Sequence, residues 1–293
     1  IVHYKKLKTV LADIQADIII SLTYAPDQYF LPYIQKHIPK VKELHSSGFV
    51  LQKMQQGIRG KLFTLLKGYD KVVVLNKDEA NYFPLFKTAI IPNFINTNQY
   101  KVIGASKENI IIAAGRIAPV KRFEDLISAW AKIANHNPNW KVLIFGNGDE
   151  RYVASLDNLI KENKLSNQLF LMGSSNTINE EMAKAKIFAM TSETECFPMV
   201  LLEAQQAALA ILSYDCPHGP QHIIAEGSDG VLVPANNVDE FAKQLQILIA
   251  DQVKTEAMGV QGKLNVQQRF DIVHVMNQWQ SLFLELQNPV ISN

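Results

Sequence analysis

Apolar residues in this 293-residue chain gather into short continuous runs, and between the runs they recur at three- and four-residue intervals. The runs are ADIIISL, PKVKELH, KVVVLN (71–76) and TAIIP (88–92), then NIIIAAG, WKVLIFG, QLFLMG, KIFAM, a strand from Leu209 to Ser213 and GVLVP. Continuous runs, rather than strict alternation, read as strands of a parallel sheet covered on both faces. Helical spacing opens the chain in VHYKKLKTVLADIQ and returns at 26–37, around 54–67 and near 78–86. Further on it recurs at 150–163, 178–184, about 199–208, 237–250 and 254–268. The strongest helix places Phe123, Leu126, Ile127, Trp130, Ile133 and Ala134 on one stripe. A last helix, about 272–286, puts Val273, Met276, Trp279, Leu282 and Phe283 on one face. Strand and helix alternating across short links predicts a doubly wound α/β architecture.

One stretch breaks the pattern. PNFINTNQYKVIGASKEN is polar, turn-rich and aperiodic, so the domain boundary is placed at 93–108. That leaves an N-terminal α/β domain over 1–92, a second over 109–270 and a terminal helical segment over 271–293. No apolar run approaches the roughly 18 residues that span a bilayer, and no secretory signal opens the sequence. The first residue is Ile within a helix-like pattern, which reads as a piece of a longer polypeptide. With only Cys196 and Cys216, the easier compartment is a reducing cytoplasm. Net charge is +1, but residues 1–91 hold 13 Lys/Arg against 7 Asp/Glu, and 92–293 hold 16 against 21. The basic first part suits anionic lipid headgroups at the inner face of a membrane; an ordinary surface fluctuation explains it equally well.

Candidate chemistry concentrates in TSETECFPMVLLEAQQAALAILSYDCPHGP, residues 191–220. A strand runs into a polar loop, and Pro198 opens a helix whose free N–H groups make an anion site. A second strand then reaches the DCPHGP loop and another helix start. Two strand-end loops each feeding a helix form a nucleotide-binding type of crevice. Glu195 and Glu203 lie eight apart, but fifteen glutamates would give about one such pair by chance. Glu203 suits a ribose because a carboxylate accepts from two vicinal hydroxyls at once; the plain alternative is an exposed helix glutamate. Arg116 and Lys121 follow the first strand of the second domain, where cations would stabilise growing negative charge on a leaving diphosphate. The alternative there is a solvated basic loop. Gly146 and Gly148 form a lone G-x-G, more often a turn than a binding loop, and the full G-x-G-x-x-G is absent. His218 and His222 lack a third ligand, so no metal is expected.

The 191–220 stretch, with GRIAPVKRFEDLI, IPNFIN and HIIAEGSDGVLVP, resembles the retaining GT-B glycosyltransferases of family GT4. The resemblance implies two facing Rossmann-like domains, the N-terminal one lacking its first strand-loop-helix unit, with a terminal helix crossing back to that domain. It implies that Arg116 and Lys121 bind the donor diphosphate and that Glu203 meets the ribose. Gly146, Met172 and Val200 complete the nucleotide site. Glu195, with Cys196, Phe197, Pro198 and Met199, would hold the donor sugar, and His45, at the end of a predicted strand, would act near it. A strand-end histidine bonded to backbone is the plain alternative for His45. The implied reaction is metal- and cofactor-independent retaining transfer of a hexose or N-acetylhexosamine, from a UDP-sugar, to a growing surface glycan or lipid-linked acceptor. No D-x-D occurs, in agreement with that chemistry, and no nucleic-acid partner is expected. The chain departs from the family at Cys196, Ala208 and Ala210, where Gly, Gly and Pro are usual. An inactive partner subunit and a nucleotide-sugar epimerase are the competing readings.

Overall fold

The computed structural model describes residues 2–12, 14–22, 26–48, 51, 64–99 and 106–288. The chain divides into two compact units, Ile1–Asn93 with Val273–Asn293, and Phe94–Ile272.

In the first unit β1 (Ile19–Ser21), β2 (Lys40–Leu44), β3 (Lys71–Val74) and β4 (Thr88–Ile90) form a parallel sheet in sequence order. Alternate residues sort its faces. Val41, Val73 and Ile91 meet Val275 and Leu282 of the terminal helix (Ile272–Gln287). Leu44, Val72 and Val74 pack on the other side with Leu11 of α1 (Val2–Ala12), Leu31, Ile34 and Phe83. Several expectations need correction here. Among the described residues ADIIISL forms an edge strand with Ile20 and Leu22 exposed, β1 pairing there with β2 alone. The helix expected at 26–37 is two 3-10 turns, Pro26–Tyr29 and Leu31–Tyr33, since Pro32 supplies no N–H and restricts the residue before it. The helix near 78–86 stops early: α2 is Lys77–Asn81, capped by the Asn76 side chain, with Pro84 just beyond. Most of the helix expected at 54–67 lies outside the described residues, and Thr64–Gly68 is a 3-10 turn. The terminal helix is apolar on several sides, so periodicity alone does not choose its buried face. Val275, Trp279, Leu282 and Leu286 face the sheet, whereas Val273 and Met276 are exposed.

The second unit carries β5 (Ile110–Ala114), β6 (Lys141–Phe145), β7 (Leu169–Gly173), β8 (Ile187–Met190), β9 (Ala210–Asp215) and β10 (Gly230–Pro234). All pair parallel in the order β10-β9-β8-β5-β6-β7. Counted from the unit's own first strand this is the doubly wound 3-2-1-4-5-6 order, whose direction reverses between β5 and β8. The helices are α3 (Phe123–Ile133), α4 (Glu150–Glu162), α5 (Ile178–Lys184), α6 (Met199–Gln206), α7 (Pro220–Ile223), α8 (Val238–Ala250) and α9 (Gln252–Arg269). The α3 stripe is buried as its spacing predicts, with Leu126, Ile127 and Trp130 fully covered. Burying each such side chain stabilises the unit by roughly 1.5–3 kcal/mol. Among the described residues no helix is long and apolar enough to cross a membrane.

Candidate functional site

The carboxyl ends of β5, β6 and β7 are stitched together by backbone. Gly115 N–H donates to Phe145 O at 3.0 Å, Ile117 N–H to Asn147 O at 2.8 Å, and Gly146 N–H to Gly173 O at 2.8 Å. A Cβ at Gly146 would clash with the Gly115 carbonyl oxygen. The lone G-x-G is thus explained by two strand-end loops packing against each other. The Asn147 side chain extends the seam, accepting from Ser174 N–H at 3.1 Å.

On the other side of the switch point, the loop after β8 is paired with the loop after β9. Glu195 N–H donates to Pro217 O at 3.1 Å, and His218 and Gly219 N–H both donate to Glu195 O at 2.9 Å. Thr194 adds a hydroxyl bond to Pro217 O at 2.9 Å. Gly219 is pressed against Pro198, whose Cδ lies 2.6 Å from where a Cβ would stand. The DCPHGP loop therefore fixes both the Glu195 backbone and the entry to α6.

Between these two assemblies lies a cavity of about 440 Å³. Its wall includes Gly115, Lys121, Gly146, Glu195, Val200 and Glu203. Lys121 Nζ is 2.5 Å from Glu195 Oε1, with the two side chains 21% and 14% exposed. Glu203, on the first turns of α6, is half-buried, and among the described residues no hydrogen bond reaches its carboxylate. Burial raises its pKa above the usual carboxylate range. In the loop after β9 the Cys216 thiol is pushed up to about 12, first by burial and then by the negative charge of Glu195. The cavity thus presents a cation, two carboxylates and the free N–H end of α6, a set suited to a ligand with both phosphate and hydroxyl groups. No group of three His, Cys, Asp or Glu among the described residues could hold a metal ion.

Of the residues singled out from sequence, Lys121, Gly146, Glu195, Phe197, Pro198, Met199, Val200 and Glu203 come together on the cavity wall. Arg116 is exposed on the loop after β5 and is not on that wall; Met172 and Cys196 are also off it. His45 belongs to the first unit, at the end of β2, where Nε2 lies 2.9 Å from Glu43 Oε1. Sequence reasoning missed Ser174, Ser175 and Ile178, which line the cavity beyond β7. Their signal was position alone, the first residues past a strand end. It also missed Arg122, whose guanidinium forks onto Asp125 beside Lys121.

Comparison with known proteins adds an independent line. Residues 96–265 match the family described as glycosyl transferases, group 1. An amylovoran biosynthesis glycosyltransferase of Erwinia amylovora is 34% identical over 193 residues, 62% of this chain and 53% of that protein. An exopolysaccharide phosphotransferase of Streptomyces coelicolor is 33% identical over 201 residues, 68% of this chain and 21% of that protein. The chain therefore spans about half or less of these two relatives. The solved structure of Anabaena HepE with UDP superposes with a TM-score of 0.84 at 19% identity, over 96% of this chain and 82% of that one. That likeness is one of fold, GT-B in type.

Proposed function

The chain belongs to the group 1 glycosyl transferases, and on that premise we propose that it moves a hexose or N-acetylhexosamine from a UDP-sugar to a growing glycan or lipid-linked acceptor. One observation carries the reading: a cavity at the reversal of strand order with Lys121, Glu195 and Glu203 on its wall. Lys121 and the N–H groups opening α6 take the diphosphate, with Arg116 supplying a second cation from the same loop as Lys121. Glu203 accepts from the ribose hydroxyls, and Gly146, Val200 and Met172 bound the nucleoside. Glu195 holds the donor-sugar hydroxyls, with Cys196, Phe197, Pro198 and Met199 shaping that end.

Cations and N–H dipoles aimed at the diphosphate act where charge grows as the sugar leaves, so they lower the barrier rather than only tighten binding. Transfer is retaining, assisted by the departing phosphate oxygen, and uses no metal. The relatives, one named as an exopolysaccharide phosphotransferase and one for amylovoran biosynthesis, favour a surface polysaccharide as product. The basic face of α1, with Lys5, Lys6 and Lys8 exposed, favours an acceptor held at an anionic membrane.

The deciding experiment measures UDP released from a panel of UDP-hexoses with and without glycan acceptors. Release that depends on acceptor is the expected result. Interconversion of the donor without acceptor marks an epimerase, and UDP binding with neither reaction marks an inactive partner subunit.

A further inference from the structure

Arg122 has φ 50° and ψ 42°, the left-handed region that a Cβ disfavours. A residue other than glycine stays there where its surroundings over-determine it. Its guanidinium forks onto Asp125, with Nη2 2.9 Å from Oδ1 and Nε 3.3 Å from Oδ2. Asp125 is itself buried and accepts from the Tyr214 hydroxyl at 3.1 Å. Tyr214 is fully buried, edge-on to Phe241. On the outer side Glu124 lies 3.9 Å from Arg122 Nε and accepts from the Tyr152 hydroxyl at 2.5 Å. The buried Thr191 hydroxyl donates to the carbonyls of both Lys121 and Arg122, at 3.1 and 2.9 Å.

These contacts converge on the turn that aims Lys121. Arg122 N–H closes the turn on Pro119 O at 3.0 Å, and Glu193 N–H donates to Val120 O at 2.8 Å. Thr191 and Glu193 belong to the loop that carries Glu195, so one turn sets the register between the cation and the carboxylate that meets it. Arg122 itself is not on the cavity wall. We propose that Arg122 is a positioning residue for the donor diphosphate: its left-handed backbone, locked by the fork on Asp125, sets where Lys121 presents its ammonium. This inference rests on the donor reading given above.

The test compares R122G, R122A and D125N by calorimetric titration of the full chain with UDP and with uridine. Glycine enters the left-handed region freely, whereas alanine resists it. R122G is expected to weaken UDP about threefold and R122A about tenfold, with uridine affinity unchanged in both. D125N, which keeps the arginine but weakens its fork, falls between them. Equal losses in R122G and R122A with D125N unharmed would mean that the guanidinium touches phosphate directly, and would overturn the proposal. Wild-type UDP affinity in R122A, or equal losses for uridine and UDP, would overturn it too. If the wild-type chain does not bind UDP, the donor reading fails separately. A crystal structure of R122A then decides: a displaced Lys121 ammonium supports the inference, and an unchanged Lys121–Glu195 pair refutes it.

Discussion

Replacing Glu195 by Gln should tighten UDP while slowing transfer. Lys121 and Glu195 satisfy each other, Nζ to Oε1 at 2.5 Å. A diphosphate arriving at Lys121 must compete with that carboxylate and also meets its negative charge. Coulomb attraction for a close pair runs from about 1 kcal/mol in bulk water to about 4 kcal/mol at an effective dielectric near 20. Side-chain exposures of 21% and 14% place this pair between those limits, and solvent screening draws it toward the lower one. A net gain of about 1.4 kcal/mol, or tenfold, is therefore expected for UDP. Turnover should fall because glutamine is a weaker acceptor for sugar hydroxyls whose bonds tighten as the anomeric carbon flattens. Titration calorimetry at low and high salt reads the first effect, and UDP release under saturating donor reads the second. The advantage should shrink as salt rises. Unchanged or weaker UDP affinity in the variant would refute the argument that the pair competes with the ligand.

Glu203→Gln should stabilise the protein near neutral pH and weaken nucleotide binding. Burial raises the native pKa of Glu203, so its ionised form is disfavoured in the fold. Relative to wild type, the gain should be absent below the ordinary carboxylate pKa and grow as pH rises through the native value; thermal melts across pH check the sign, and a gain confined to acid pH would contradict it. Ala208→Gly should also stabilise, because Ala208 holds φ 55° just past the end of α6. Relief of that strain, less the extra freedom glycine has when unfolded, is expected to be about 0.5–1 kcal/mol by urea denaturation; a lower midpoint would count against it.

The second unit was legible in sequence because its strands are continuous apolar runs and α3 has one clean stripe. Glu203 was legible only through its surroundings, since a glutamate pair eight apart is near chance. The first unit was less readable: at 26–37 prolines overrode a helical pattern, and the terminal helix was apolar on too many sides for its buried face to be chosen. Arg122 was invisible because arginine does not advertise a left-handed backbone, which here comes from Asp125, Tyr214 and Thr191, distant or easily overlooked in sequence. The close packing that requires glycine at 146 was not legible because its reason, the carbonyl of Gly115, lies on another strand.

On the proposed reading the second unit binds a nucleoside diphosphate across the carboxyl edge of its sheet. The most direct test is a crystal structure of this chain with UDP. The expected result is ribose hydroxyls donating to Glu203, with the diphosphate at Lys121 and the N–H groups that open α6. A nucleotide seated on the first unit's sheet, or on the second unit away from Lys121 and Glu203, would contradict it.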